Sequence, residues 1–161
     1  MLGPHDFKPS HFGSTLLSIA RGKLPALVDA RLSWVDNRDV AEGMINAYEH
    51  AEVGAKYILS GHWVTLKYIA EQVAKINGVN PPRTVLPMWL AKTGAPLVML
   101  FDRVRGTRPL FTPISLKELQ SNPILSHDKA SRELAYQPRP LKQTIADTIS
   151  WFASHGFLNN G

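Results

Sequence analysis

The feature of this chain that most constrains its fold is an excess of amphipathic helices over strands. Residues 38–50 place Ala41, Met44, Ile45 and Tyr48 on one helical stripe. Three further stretches repeat apolar residues at helical spacing: residues 66–77, 128–134 and 141–155. Strands are predicted over residues 30–36 and 56–60, and residues 84–86 and 123–125 are weaker candidates, too short to supply a sheet. Apolar helix faces with so little sheet to lie on indicate a chain that needs further strands.

Capping residues mark the ends of these helices. Asp36 or Asn37 is suited to cap the helix over residues 38–50, and Thr65 is suited to cap the next one. Gly78 is placed to end that second helix. A further helical region over residues 88–105 contains a glycine and a proline, at which we expect a kink or a break.

Composition narrows the class of protein. The chain has 161 residues, of which 44% are hydrophobic and 19% charged, as in an ordinary globular domain. No run of 18 apolar residues is present, so we expect no membrane span, and the first residues do not resemble a secretory signal. Cysteine is absent, which excludes disulfides, thiolate metal sites and a cysteine nucleophile. A cytoplasmic location is the expectation.

The net charge of +5 raises the question of nucleic-acid binding. The cations are scattered and interleaved with acidic residues, whereas nucleic-acid binders concentrate basic residues on one face. The nearest approach to a cluster is Arg103, Arg105 and Arg108. A solvated helix end explains this trio, but such arginines also suit a phosphate or carboxylate on a substrate. We therefore take Arg103 and Arg105 as substrate-binding candidates and expect no nucleic-acid partner.

The six histidines do not lie at the spacings of metal ligands, and we predict no metal site. No Gly-x-Ser-x-Gly turn is present, which argues against a serine hydrolase of the α/β-hydrolase type.

Four segments occur in an order that resembles a known family. They are GPHDFKPS, LSWVDNRDVAEGMINAYE, AKYILSGHWVTLKYIAEQVAKINGVNPP and SHDKASRELAYQPRPLKQTIADTISWF. Together they resemble the C-terminal half of extended short-chain dehydrogenase/reductases, the NAD-dependent epimerase/dehydratases and dihydroflavonol-4-reductase-like proteins. The resemblance implies an α/β fold, namely the C-terminal substrate-binding portion of a Rossmann-type enzyme. That portion is mostly helical, with a few short strands and without the N-terminal dinucleotide-binding half.

Two motifs of that family do not occur in the 161 residues. There is no glycine-rich GxxGxxG turn to bind a pyrophosphate, and no tyrosine has a lysine four positions later. We therefore assign no catalytic residue to this chain and expect it to be inactive alone. The resemblance implies NAD or NADP in the intact parent enzyme and no cofactor for this chain by itself.

The resemblance also implies site residues in the opening segment. Gly3 and Pro4 correspond to the turn after the sixth Rossmann strand, beside the nicotinamide end of the cofactor. Phe7, Lys8 and Ser10 follow in the loop that leads to the substrate. An ordinary proline-flanked loop remains the alternative for these three residues.

Departures from the family pattern bear on the substrate. Leu32 occupies the position where nucleotide-sugar epimerases carry an arginine, and Ser121, Asn122 and Pro123 replace another characteristic arginine and Gly-Asp pair. Both differences favour the reductase-like branch. Ala135 stands where a glycine is common, at an expected cost of about 1 kcal/mol if its backbone is left-handed.

The resulting hypothesis is a single domain over residues 1–161 that binds the substrate of an NAD(P)-dependent oxidoreductase, either a carbonyl reductase or a sugar epimerase. Its partner would be the missing N-terminal cofactor half or a second copy of itself. The alternative is a free-standing homo-oligomeric interaction module without catalysis, formed through orphaned apolar faces.

Overall fold

The computed structural model describes residues 1–90, 93 and 124–158. Its helices within these residues are α1 (His11–Ala20), α2 (Asn37–His50), α3 (Leu66–Asn77), α4 (Asp128–Leu134) and α5 (Leu141–Ser154). Its strands are β1 (Ala26–Val28), β2 (Arg31–Trp34), β3 (His62–Thr65) and β4 (Thr84–Leu86). The chain is thus α/β and mostly helical, with a few short strands, as expected.

The strands form small separate pairs. β1 and β4 are parallel, with Ala26 opposite Thr84, and β2 and β3 are antiparallel, with Trp34 opposite His62. A lone parallel bridge joins Leu2 to the residue before α2. None of these pairs, in the part of the chain that is described, is broad enough to support the helices by itself.

The main core lies where α1, α3 and α5 pack together. Its most deeply buried members share aliphatic side chains and at most 2% exposure: Leu16, Ile19, Leu27, Ile69, Val73, Ile145 and Ile149. A second cluster holds α4 against α2 through Ala130, Leu134 and Tyr136. Three helices therefore supply most of the hydrophobic stabilisation.

The predicted helix caps are confirmed. The Asp36 side chain accepts a hydrogen bond from the Arg38 backbone N–H at the start of α2, and Thr65 does the same for Tyr68 at the start of α3. Gly78 ends α3 in the left-handed conformation with φ of 67°. Local sequence signals were sufficient for these ends because a cap depends on neighbouring residues only.

The strand predicted over residues 56–60 is wrong, because the strand lies at β3 instead. Ser60 donates its hydroxyl to the Leu125 carbonyl, and its own carbonyl accepts a hydrogen bond from the Tyr136 hydroxyl. These bonds go to a loop and to a side chain instead of a neighbouring strand. The apolar run therefore packs as an irregular segment under α4.

The α1 helix was not predicted from the sequence. Its glycine, serines and threonine lower helix propensity, so its apolar residues alone gave no clear period. The Ser10 hydroxyl caps its start by accepting a hydrogen bond from Gly13. Leu16, Leu17 and Ile19 are buried, so tertiary packing stabilises the helix.

Ala135 adopts the left-handed conformation, with φ of 52°, at the end of α4. We expect Ala135→Gly to raise the free energy of unfolding by about 0.5–1 kcal/mol, because glycine is unstrained there. The control is Ala153→Gly, at an exposed helical position, which should lower stability by about 1 kcal/mol. Urea unfolding measures the change in the free energy of unfolding for both variants. Changes of the same sign would contradict the strain at Ala135.

Two sequence predictions fall outside the described residues: the arginines Arg103 and Arg105, and the kink in the helical region that follows Pro87. Among the residues that the structure describes, no helix combines the length and apolar character needed to cross a membrane.

Candidate functional site

The Gly3–Pro4 turn is held at the edge of the parallel bridge. The Leu2 backbone N–H donates to the Val35 carbonyl at 2.9 Å, and the Leu2 carbonyl accepts from the Asn37 N–H at 2.7 Å. The Asn37 side-chain amide then donates to the Pro4 carbonyl at 2.7 Å. Asn37 therefore fixes both sides of the turn with its backbone and its side chain.

Gly3 is required by this arrangement for two reasons. Its φ of 139° lies in the region that favours glycine. A Cβ placed on Gly3 would lie 1.9 Å from the Asn37 Oδ1 atom. The side chain of Asn37 thus occupies the space that Gly3 leaves open, which is a structural reason for the glycine independent of any cofactor.

The loop after the turn is fixed by the Asp6 carboxylate. Asp6 accepts hydrogen bonds from the Ser10 backbone N–H and from the Ser10 hydroxyl, each near 2.9 Å. A Cβ on Gly13 would lie 2.2 Å from the Asp6 Oδ2 atom, so glycine there allows this approach. His5 has φ of 71°, a left-handed conformation that is strained for a residue with a side chain. The loop geometry is therefore specified by several residues together.

Phe7 and Lys8 lie at the outer side of this loop. The Phe7 side chain is 68% exposed and meets Trp151 of α5 edge to face, with ring centroids 5.1 Å apart. Lys8 is exposed. Both side chains are available to a ligand, whereas the Ser10 hydroxyl is engaged in capping α1.

A cavity of about 400 Å³ opens beside the Gly3–Pro4 turn. It is lined by residues of the turn, the loop and the facing helices, including Gly3, His5, Asp6, Ser10, His11 and Asn37. Its volume falls in the range of small-molecule sites. Of the predicted site residues, Gly3 and Ser10 line this cavity, whereas Pro4, Phe7 and Lys8 are not among its lining residues.

A charged network lies behind the turn, where α2 begins. The Arg38 guanidinium binds the buried Asp36 carboxylate and the Asp147 carboxylate of α5, both at 2.7 Å. Burial raises the pKa of Asp36, but the hydrogen bonds from Arg38 outweigh it and hold that pKa below its ordinary value. Asp36 is thus ionised at neutral pH, and Arg38, held by Asp36, connects α2 to α5 through Asp147.

The second part of this network reaches the segment between α4 and α5. The Arg139 guanidinium binds the buried Asp39 carboxylate and reaches Glu42 at 3.2 Å. The Arg139 backbone N–H also donates to Asp39 at 2.9 Å. Burial, together with the negative charges of Asp39 and Asp36, raises the pKa of Tyr136 to about 12. Tyr136 is therefore a hydroxyl donor to Ser60 and is not poised as an acid or base near neutral pH.

Asp36→Asn tests the contribution of this carboxylate. Because the folded pKa is lowered from 3.8, its stabilisation is present above that value and is lost as the pH falls through the folded pKa. We expect the variant to be less stable at neutral pH and to lose less stability on acidification. Urea midpoints between about pH 7 and pH 3 measure this. The control is Asp29→Asn, at an exposed carboxylate, and an identical acid dependence in both variants would contradict the prediction.

Sequence reasoning missed Asp6, His11 and Asn37. A serine followed three residues later by glycine, as at Ser10 after Asp6, is compatible with a capped helix start. The sequence therefore did contain a signal for the loop that Asp6 and Ser10 form. Asn37 was considered only as a helix cap, and its contact with Pro4 joins residues 33 positions apart. No local pattern reports such a contact.

Comparison with known proteins shows which proteins this chain resembles. No family model matches the chain. A protein of Synechocystis sp. assigned as a dihydroflavonol 4-reductase is 30% identical over 161 residues, 98% of this chain and 47% of that protein. Sterol demethylase protein B of Methylococcus capsulatus is 29% identical over 160 residues, 98% of this chain and 49% of that protein.

The crystal structure of gox2253 has the same fold, with a TM-score of 0.78 and 37% identity over 96% of this chain and 47% of that one. This chain is related to the dihydroflavonol-4-reductase-like and NAD-dependent epimerase/dehydratase proteins. The resemblance predicted from the sequence is thus confirmed, and the fold is that of the C-terminal portion of such a Rossmann-type enzyme. The chain spans about half the length of the curated relatives it matches.

Solved structures with this fold contain nicotinamide cofactors. RMD from Pseudomonas aeruginosa, solved with NADPH, matches with a TM-score of 0.62 and 18% identity over 96% of this chain and 46% of that one. The described residues of our chain do not themselves fit a whole dinucleotide. The open space at Gly3 is filled by Asn37, and the sequence has no glycine-rich turn.

Proposed function

We propose that this chain is the substrate-binding part of an NAD(P)-dependent oxidoreductase, whose cofactor is held by a second, dinucleotide-binding half. The whole enzyme would reduce a carbonyl, or epimerise a sugar through a transient ketone. The observation that supports the proposal is the cavity at the Gly3–Pro4 turn, in a chain of which 98% matches a relative assigned as a dihydroflavonol 4-reductase. A cleft at the end of a parallel strand is the usual ligand position in such sheets.

The residues of the opening segment have distinct roles in this proposal. Gly3 and Pro4 form the part of the wall nearest the nicotinamide, and Asn37 holds that turn in place. Phe7 and Lys8 are exposed in the loop that continues from the cavity lining, where an apolar ring and a cation would contact the substrate. Ser10 would act through the loop conformation, because its hydroxyl is occupied by the cap. Arg103 and Arg105 remain substrate-binding predictions.

This chain alone should neither bind the cofactor tightly nor catalyse the reaction, because the 161 residues contain neither a pyrophosphate-binding turn nor a Tyr-x-x-x-Lys pair. Titration of the isolated chain with NADPH, followed by nucleotide fluorescence, tests this. No binding at micromolar concentrations is expected. Micromolar binding would show that the chain binds the cofactor by itself. It would overturn the proposal that a second half binds the cofactor and this chain binds the substrate.

The reductase branch is favoured over the sugar-epimerase branch by Leu32, which is half-buried in β2 and offers no charge to a nucleotide sugar. NAD or NADP would serve the intact enzyme. The alternative of a free-standing homo-oligomeric module finds no support in the comparisons. A single domain over residues 1–161 and a cytoplasmic location stay predictions.

A further inference from the structure

Asn77 and Gly78, at the end of α3, form a chemically reactive pair. An asparagine followed by glycine can lose its side-chain amide without an enzyme, because glycine has no Cβ to hinder its own backbone nitrogen as that atom approaches the asparagine Cγ. Among the described residues, the other asparagines precede bulkier residues: Asn37 precedes arginine, Asn46 precedes alanine and Asn80 precedes proline. Asn77 is therefore the described asparagine whose sequence favours this reaction.

The reaction consumes only water and uses groups that this chain contains. The Gly78 backbone nitrogen gives up its proton and bonds to the Asn77 Cγ, and the side-chain nitrogen leaves as ammonia. Water then opens the resulting cyclic imide at either carbonyl, which gives aspartate or isoaspartate. Neither an oxidant nor a reductant takes part, and a neutral amide becomes a carboxylate.

Two hydrogen bonds hold the reacting groups in unreactive positions in the folded chain. The Asn77 side-chain amide donates to the Ala20 carbonyl at 2.6 Å, which fixes the group that has to leave. The Gly78 backbone N–H donates to the Ala74 carbonyl, which occupies the nitrogen that has to attack. Both bonds have to break before this nitrogen can reach the Asn77 Cγ. The reaction therefore requires an opening of the helix end.

The end of α3 is a place where such an opening costs little. Asn77 and Gly78 are exposed, and so is Asn80 in the segment that follows. The buried residues of α3 end with Ala74, so the last residues of the helix can unwind while the core stays packed. Helix ends fray, and local opening is easiest where few buried apolar contacts are lost.

The bond from Asn77 joins the ends of two helices that pack together in the main core. Ala20 is the last residue of α1, and Asn77 is the last residue of α3. The carbonyls at a helix C-terminus carry partial negative charge. A carboxylate at residue 77 cannot donate to the Ala20 carbonyl and is repelled by both helix ends. Deamidation is therefore expected to weaken the packing of α1 on α3.

We propose that Asn77 is a site of spontaneous deamidation, which proceeds when the last turn of α3 opens locally and which then releases the end of α1 from α3. The modification limits the lifetime of the folded chain. It is independent of the proposed function, because Asn77, Gly78 and Ala20 are not among the residues that line the cavity beside Gly3.

Mass spectrometry of the tryptic peptide over residues 76–83 measures the conversion, and fragmentation separates Asn77 from Asn80. The folded chain at mildly alkaline pH is compared with the chain unfolded in urea. We expect conversion at Asn77 in both, about tenfold or more slower in the folded chain, because only the locally opened fraction reacts. Asn46, which lies within α2, is the internal control and should stay unconverted in the folded chain.

Three results would overturn the proposal. Equal rates in the folded and the unfolded chain, with circular dichroism confirming the fold, would show that the hydrogen bonds do not protect Asn77. Local opening exposes little surface, so urea below the unfolding transition should leave the folded rate nearly unchanged. A folded rate that rises steeply with such urea would show that the reaction needs global unfolding. No conversion in the folded chain would remove the site itself.

Asn77→Asp tests the structural consequence separately. This variant should unfold at a lower urea concentration than the unaltered chain does. Asn80→Asp makes the same change of charge at an exposed neighbouring residue and should have a smaller effect. Equal urea midpoints for the two variants would contradict the release of α1.

Asn77→Gln links the modification to the lifetime of the fold. Glutamine keeps an amide donor but cyclises far more slowly than asparagine. After prolonged incubation, the urea midpoint of the unaltered chain should fall, whereas that of Asn77→Gln should stay constant. An equal fall in both would assign the loss of stability to other residues and overturn the role of Asn77.

Discussion

Arg139→Met is expected to lower the free energy of unfolding by about 3 kcal/mol, the lower end of the cost of breaking a buried ion pair. The Asp39 side chain is 3% exposed and depends on the Arg139 guanidinium for neutralisation. Removing the guanidinium leaves a buried carboxylate that keeps, among the described residues, one hydrogen bond, from the Arg139 backbone N–H. That remaining bond is the reason to expect the lower end of the range.

Urea or thermal unfolding measures this loss, with Lys67→Met as the matched control. Lys67 pairs with Glu71 at 3.9 Å, and both side chains are exposed, so its replacement should cost less than about 1 kcal/mol. A double variant, Arg139→Met/Asp39→Leu, should recover part of the loss because the uncompensated charge is gone. Equal losses of unfolding free energy for Arg139→Met and Lys67→Met would show that the buried pair contributes no more to stability than the exposed pair.

The same pair shows why sequence reasoning reached the helices and not their arrangement. The caps by Asp36 and Thr65 depend on residues two or three positions away, and both were predictable. The bond between Asp39 and Arg139 joins residues 100 positions apart, and from the sequence Asp39 appeared only as a favourable charge at a helix start. Long-range contacts of this kind leave no periodic signal.

The candidate site shows the same limit in a different form. The resemblance pointed to Gly3, Pro4 and Ser10, and the structure brings Gly3 and Ser10 to one cavity. The resemblance could not reveal that the Asn37 side chain fills the space beside Gly3, because that space depends on the path of the chain at β2 and α2. The glycine motif was therefore recognised, while its physical cause at this position was visible only in three dimensions.

Gly61→Ala is expected to destabilise the chain by about 3 kcal/mol or more, the upper end of the cost of overpacking. A Cβ on Gly61 would lie 2.0 Å from the Trp34 carbonyl oxygen and 3.0 Å from the Val35 Cα. Both are backbone atoms of the segment that carries β2 into the parallel bridge, so they cannot move aside as a side chain can. The substitution should therefore separate the β2–β3 pair where Trp34 faces His62.

Unfolding by urea measures this cost, and near-UV circular dichroism of the tryptophans, including the buried Trp34, reports whether the local packing has changed. Gly54→Ala provides the control, because no atom lies within 4 Å of the added Cβ and only its φ of 86° is unfavourable. It should cost about 1–2 kcal/mol from strain alone. If Gly61→Ala lowers the free energy of unfolding no more than Gly54→Ala does, the backbone after β2 can shift to accommodate the added Cβ. The close approach of Gly61 to that backbone would then not be needed to position the start of α2.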